Sequence, residues 1–282
     1  MKLRNDGILW TGPATVLMLL VLFVPLAFVV VTSVWTPAGL SLAAYQRLFG
    51  SALFLKTFWS TFEVSISASL VSLLLGYPIA MHLARQTPRM RSIYMVIVLV
   101  PFWTSVLVKT YAFLVLFGRN GLINQALSAI FQMNIEVPML FNRFAVLAGM
   151  TNYLIPFVVF PVLASLLAID RSLYMAAEVS GAKPARIFFR ITLPLSVPGV
   201  LAGAFSTTVM SLGFFVIPAL LGSRKEAMMS NLVDFYTREV LDWNMASAIA
   251  VMLLGTVTLA ALGSDLFMKR ESRSRTPKAV PA

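Results

Sequence analysis

The chain has 282 residues, 59% of them hydrophobic and only 12% charged, with a mean hydropathy of +0.86. Soluble domains carry about 25% charged residues, so a soluble fold of this size is excluded and the natural solvent for most of the chain is lipid. The absence of cysteine excludes a disulfide framework or thiolate site, and the net charge of +11 requires a basic face that the order of the segments must explain.

No charge occurs between Asp6 and Arg47. A secretory signal has an apolar region of only ~7–15 residues, so 9–34 is expected to be a retained first membrane helix rather than a cleaved leader. About 20 mainly apolar residues cross a bilayer. On that measure, further spans are expected near 58–84, 92–117, 144–168, 191–221 and 244–267. The segments 35–57 and 222–243 contain LSLAAYQRLF and TREVLDW, whose polar and apolar groups alternate at helical spacing and predict short interfacial helices. The third span is interrupted by Lys109, expected to snorkel to the outer interface before a turn at Gly118-Arg119-Asn120-Gly121. Pro25, Pro78, Pro101, Pro156, Pro161, Pro194, Pro198 and Pro218 fall within spans. The backbone groups they free must find partners inside the protein, so these segments are expected to pack or line a cavity. Gly199 and Gly203 form a G-x-x-x-G pair suited to close helix approach.

Six spans place both termini on one side. The N-terminal segment, the 85–91 loop RQTPRMR, the 169–190 loop and the tail carry fourteen of the 22 basic residues, which by the positive-inside rule makes that side cytoplasmic. The positive charge is thereby explained by topology, and nucleic acid is not an expected partner. A single transmembrane domain over 1–268, followed by a polar, disordered cytoplasmic tail over 269–282, is the expected organisation.

Several chemistries lack their residues. The one histidine, His82, lies near a span end, no metal-ligand cluster occurs, and no Gly-Lys dipeptide exists to form a phosphate-binding loop. Neither enzyme chemistry, metal nor cofactor is expected in the chain. Acids within spans would mark an ion pathway, but only Glu63 and Asp265 qualify, both near span ends. A stand-alone secondary carrier or channel therefore stands as the alternative to a transporter driven by another subunit.

One cytoplasmic loop breaks the apolar pattern: AAEVSGAKPARIFFRITLP at 176–194. Ser172 can cap a short helix, Gly181 can end it in the left-handed conformation, and Pro184 suits the first turn of a second helix. An exposed basic and aromatic hairpin of this kind is expected to meet another protein.

The spacing A-A-x-x-x-G-A followed by I-x-L-P resembles the EAA loop of type I ABC-importer permeases. Ala176, Ala177, Gly181, Ala182, Ile191, Leu193 and Pro194 match it, while Met175 stands where the family often has Glu. Gly76-Tyr77-Pro78, Val100-Pro101-Phe102-Trp103-Thr104, Gly118–Leu127, Leu154-Ile155-Pro156-Phe157 and Asp242-Trp243 are similar to the spermidine/putrescine branch, in particular to its first permease subunit. The resemblance implies an all-α membrane protein of the bacterial inner membrane, with six transmembrane helices and a cytoplasmic coupling helix at 169–190. It implies partners as well: a second six-helix permease, two cytoplasmic ATPases that carry ATP and magnesium, and an extracytoplasmic solute-binding protein. Lys183 and Phe188 join the seven matched residues as candidate ATPase-coupling groups. Trp103, Lys109, Tyr111, Asn152, Tyr153, Ser211 and Phe215 are the candidate path-lining groups for a polyamine-like or opine-like solute.

Overall fold

The computed structural model describes residues 3–36, 39–134 and 136–275, with side chains described within 12–263. Helix α1 (Leu3–Val34) leads to a short antiparallel pair, β1 (Trp35–Thr36) and β2 (Gly39–Leu40), and then to α2 (Ala43–Phe49) and α3 (Ala52–Arg85). Next come α4 (Pro88–Trp103), α5 (Val106–Phe117), α6 (Leu122–Phe131) and α7 (Arg143–Leu167). After α8 (Arg171–Val179) and α9 (Pro184–Ile187), a π-helical turn over Phe188–Thr192 runs directly into α10 (Leu193–Leu212). The last elements are α11 (Val216–Leu221), α12 (Met229–Arg238) and α13 (Trp243–Arg275).

Six stretches are long and apolar enough to cross a membrane: Gly12–Val34, Ala52–Arg85, Val106–Phe131, Arg143–Leu167, Pro184–Leu212 and Trp243–Gly263. Five agree with the expected spans. The third is displaced toward the C-terminus because composition alone joins α5 to α6 across the turn at Gly118–Gly121. Neither the 16 residues of α4 nor the 12 of α5 reach across a hydrocarbon core of about 30 Å. The expected span 92–117 is divided between them, with extended backbone at Thr104 and Ser105. The fifth expected span is interrupted as well, at Gly213–Phe215.

The interfacial segments differ in detail from expectation. Residues 52–57 are already part of α3, and of TREVLDW only Thr237 and Arg238 belong to α12. The tail does not begin as a disordered segment, since α13 continues through Arg275; residues 276–282 lie outside the described residues, as does the Asp265 side chain.

The chain divides into two compact units, one of residues 1–56 and 229–255, the other of 57–228 and 256–282. In the first, Asn244 donates to the Thr32 and Trp35 carbonyls at 2.7 Å each and ties the start of α13 to the end of α1. Asp242 caps α13 through the Met245 amide at 3.0 Å and pairs with Arg47 of α2 at 3.5 Å.

The second unit is built around α7, whose Met150, Leu154, Val158, Val159 and Val162 are fully buried. Small residues let its neighbours come close. A Cβ at Gly76 of α3 would lie 2.8 Å from Val158 Cγ1, and one at Gly199 of α10 would lie 2.5 Å from Ser165 Oγ and press on the Pro161 carbonyl. Gly203 packs on Val158, so the G-x-x-x-G pair of α10 faces α7, as close packing in lipid requires. Polar groups cross these contacts. Ser69 of α3 shares a 2.7 Å hydrogen bond with Thr207 of α10 and donates to the Ala204 carbonyl at 2.9 Å.

Candidate functional site

The loop between α7 and α10 is a helical hairpin whose turn follows from its residues. Asp170, rather than Ser172, is the N-cap of α8, and its carboxylate accepts from the Ser172 amide at 2.8 Å. Asp has the advantage because the charged oxygen also meets the positive end of the helix dipole. Two hydrogen bonds from Ser172, backbone then side chain, hold the Asp170 pKa below its ordinary value. At the other end Gly181 has φ +73, as expected of the helix-ending glycine. The Gly181 amide donates to the Glu178 carbonyl at 2.9 Å and the Ala182 amide to the Ala177 carbonyl at 3.0 Å, the paired bonds of a Schellman motif. Pro184 then opens α9.

The hairpin presents its apolar side chains outward: Val179 is 91% exposed, and Met175 and Phe189 are also exposed. Of the candidate coupling residues, Ala176, Gly181, Lys183 and Pro194 are exposed, and Ala177, Ala182, Phe188, Ile191 and Leu193 are half-buried.

Groups not singled out from the sequence wire this hairpin to the bundle. Tyr174 of α8 and Thr192 of the π turn share a 3.3 Å hydrogen bond. Tyr77 of α3 meets the Phe188 ring edge-on at 6.1 Å and bonds Ser196 of α10 at 2.9 Å. The basic 85–91 loop also has a structural role, because Arg91 donates to the carbonyls of Leu83, Ala84 and Gln86 and closes the C-terminus of α3. A cavity of about 820 Å³ lies between that turn and the hairpin, lined by Arg85, Arg91, Arg171, Tyr174, Phe188 and Thr192 among others.

The candidate path residues sort into two groups. Lys109, Tyr153 and Trp103 surround the break between α4 and α5. The Lys109 ammonium folds back to donate to the Pro101 carbonyl at 2.5 Å and sits 4.9 Å above the Tyr153 ring. The end of α4 at Trp103 leaves that carbonyl without a helical partner, and the ammonium supplies one. Trp103, 81% exposed, meets Phe102 at 6.2 Å. Phe215 lies at the second break, beside Phe214, which contacts Tyr153 at 5.3 Å. The other three do not join this group: Tyr111 is exposed, Asn152 is half-buried, and Ser211 is fully buried, donating to the Thr207 carbonyl at 2.6 Å. Tyr153 is thus the ring on which both interrupted spans converge, through Phe102 at 6.3 Å and Phe214. Phe102, Phe157 and Phe214 were not among the candidates; the signal for them is their place beside Pro101, Pro156 and Gly213.

Among the described residues, Glu63 is the only carboxylate within a candidate span, and it pairs with Arg143. Glu63 sits eleven residues inside the 34-residue α3, opposite the first residue of α7. No group of three or more His, Cys, Asp or Glu that could hold a metal occurs among the described residues.

Residues 72–273 match the family model described as binding-protein-dependent transport system inner membrane component. The chain is 30% identical over 218 residues to the spermidine/putrescine transport system permease protein PotB of Haemophilus influenzae, covering 77% of this chain and 75% of that protein. It is 29% identical to PotB of Escherichia coli, covering 74% and 76%. Its fold is similar to that in the crystal structure of a bacterial ABC transporter involved in the import of the acidic polysaccharide alginate, with a TM-score of 0.73 and 20% identity over 95% of this chain and 96% of that one. The matched region contains the hairpin and both interrupted spans, and on that match the chain belongs to the family of inner-membrane components of binding-protein-dependent transport systems, as a permease subunit of an ABC importer.

Proposed function

We propose that this permease carries a small organic solute of the polyamine-like or opine-like class, and that the 169–190 hairpin is the site through which a cytoplasmic ATPase drives it. The chain is a transport subunit and not an enzyme. The observation that carries the coupling assignment is the wiring of the exposed hairpin into the bundle through Tyr174–Thr192, Tyr77–Phe188 and Tyr77–Ser196. A force applied to α8 reaches α10 through the π turn without passing through a flexible linker. π turns within helices recur at functional sites.

The assembly pairs this chain with a second six-helix permease, two ATPase subunits and an external solute-binding protein. ATP and magnesium belong to the ATPases. Both termini and the hairpin face the cytoplasm, in keeping with the basic residues of the 85–91 and 169–190 loops. Nucleotide can move the permease only if the ATPases bind it unequally in the outward-open and inward-open states. The path runs past the two interrupted spans, since non-helical backbone at membrane depth is tolerated only inside protein or beside a water-filled cavity. The polyamine class draws support from the PotB relatives.

The test is reconstitution of the chain with its co-purifying subunits. Uptake of radiolabelled spermidine or putrescine that requires ATP, the ATPases and the binding protein supports this reading. Uptake by the purified chain alone replaces it with a stand-alone carrier.

A further inference from the structure

We propose that the face of the Tyr153 ring is an ammonium-binding site for cargo, occupied in the present conformation by the chain's own Lys109 as a tethered stand-in. The proposal deepens the permease reading and rests on it.

Four observations converge. The Lys109 Nζ lies 4.9 Å from the Tyr153 centroid, within the distance at which an aromatic face attracts a cation. Three further rings surround Tyr153: Phe157 at 5.9 Å, Phe214 at 5.3 Å and Phe102 at 6.3 Å. Aromatic clusters attract organic ammonium groups through their ring faces without a carboxylate. Carboxylates are scarce here, because Glu63, the only one in the described spans, is engaged by Arg143. Lastly, Phe102 precedes one helix break and Phe214 lies in the other, so the site sits where the backbone needs a cavity or another protein beside it.

The Lys109 ammonium is held by the Pro101 carbonyl oxygen and the π face of Tyr153, and neither partner is an acid. These neutral groups are the ones an incoming alkylammonium would use. Lysine carries its charge on a flexible four-carbon stem, so its head can leave the ring while its backbone stays in α5. One cation then replaces another, and the site never holds two. Release of Lys109 also frees the Pro101 carbonyl, which links occupancy of the ring to the α4–α5 break.

The test uses the assembled importer in nanodiscs of phosphatidylglycerol, a lipid without an amine, so that a lipid headgroup cannot supply the ligand. Binding of spermidine and, separately, of tetramethylammonium is measured by calorimetry for the wild type and for Lys109→Gln, Lys109→Arg and Lys109→Gln/Tyr153→Leu. The glutamine amide can still cap the Pro101 carbonyl, and thermal unfolding checks that each variant is folded. Lys109→Gln is expected to bind the probes at least about fivefold more tightly than wild type. Lys109→Arg, which keeps a tethered cation, should show no gain, and removal of the ring should abolish it. A gain for tetramethylammonium alone would uphold the site while rejecting spermidine as cargo. Unchanged binding of both probes in Lys109→Gln, or a gain that survives loss of Tyr153, would overturn the proposal.

Discussion

The Tyr77 hydroxyl lies 2.9 Å from Ser196 Oγ, and the same ring meets Phe188 at 6.1 Å. One side chain of α3 therefore touches both the π turn that ends the hairpin and the first turns of α10. Tyr77→Phe keeps the ring and removes the hydrogen bond. A loss of about 1 kcal/mol in stability is expected, with a larger fractional loss of ATP-driven uptake than of basal ATP hydrolysis. Thermal unfolding and uptake in proteoliposomes measure the two effects. Uptake at the wild-type level would remove Tyr77 from the coupling route.

The α7–α10 contact depends on the hydrogen at Gly199. A side chain there meets Ser165 Oγ at 2.5 Å and the Pro161 carbonyl, and although the serine can rotate, the carbonyl is backbone. Gly199→Val is expected to destabilise by about 1–3 kcal/mol through overpacking. Gly255→Val is the control, because nothing lies within 4 Å of a Cβ at that position. Unfolding temperatures in detergent that fall equally for both would show that valine in a helix, and not the contact, sets the cost.

Asp170 makes the start of α8 sensitive to acid. Its folded-state pKa is lowered by the Ser172 hydrogen bonds. A depressed carboxylate contributes its stability above the unfolded pKa and loses it as pH falls through the folded one. Capping is therefore complete at neutral pH and disappears below the ordinary carboxylate range of about 4. Hydrogen exchange at the Ser172 amide should show protection that falls in acid for the wild type and stays pH-independent in Asp170→Asn.

Gly181 occupies a conformation that β-branched residues avoid, with φ +73 and open space around it. Strain, not collision, is the expected cost, on the order of 1–2 kcal/mol for Gly181→Val. Gly181→Asn should be milder, since Asn visits the left-handed region more readily. Both should insert into the membrane normally. Valine should weaken ATPase association in co-purification and asparagine should largely preserve it.

Much of this fold is legible in the sequence because lipid imposes a simple rule: apolar runs of sufficient length span. The hairpin is legible as well, because Gly181 enters the left-handed region without steric cost and Pro184 fixes the φ of a helix start. The interruptions are not. Thr104 and Ser105 look like ordinary helix residues, and nothing in the spacing shows that the Thr104 hydroxyl and the Lys109 ammonium take up the Val100 and Pro101 carbonyls at the break. The Tyr153 cluster is hidden for a related reason, since its rings come from α4, α7 and the break between α10 and α11, far apart in the chain. Nor does spacing show which oxygen caps α8, because Asp170 and Ser172 are both good capping residues.

The central claim is that the tip of the hairpin touches an ATPase. Val179 is 91% exposed there, and the chain has no cysteine of its own, so Val179→Cys introduces a single thiol. With a short bifunctional thiol–amine reagent in native membranes, the account predicts a covalent adduct with the ATPase subunit whose yield changes with nucleotide. Labelling of that thiol by a membrane-impermeant reagent from the outer side, with no ATPase adduct, would contradict it.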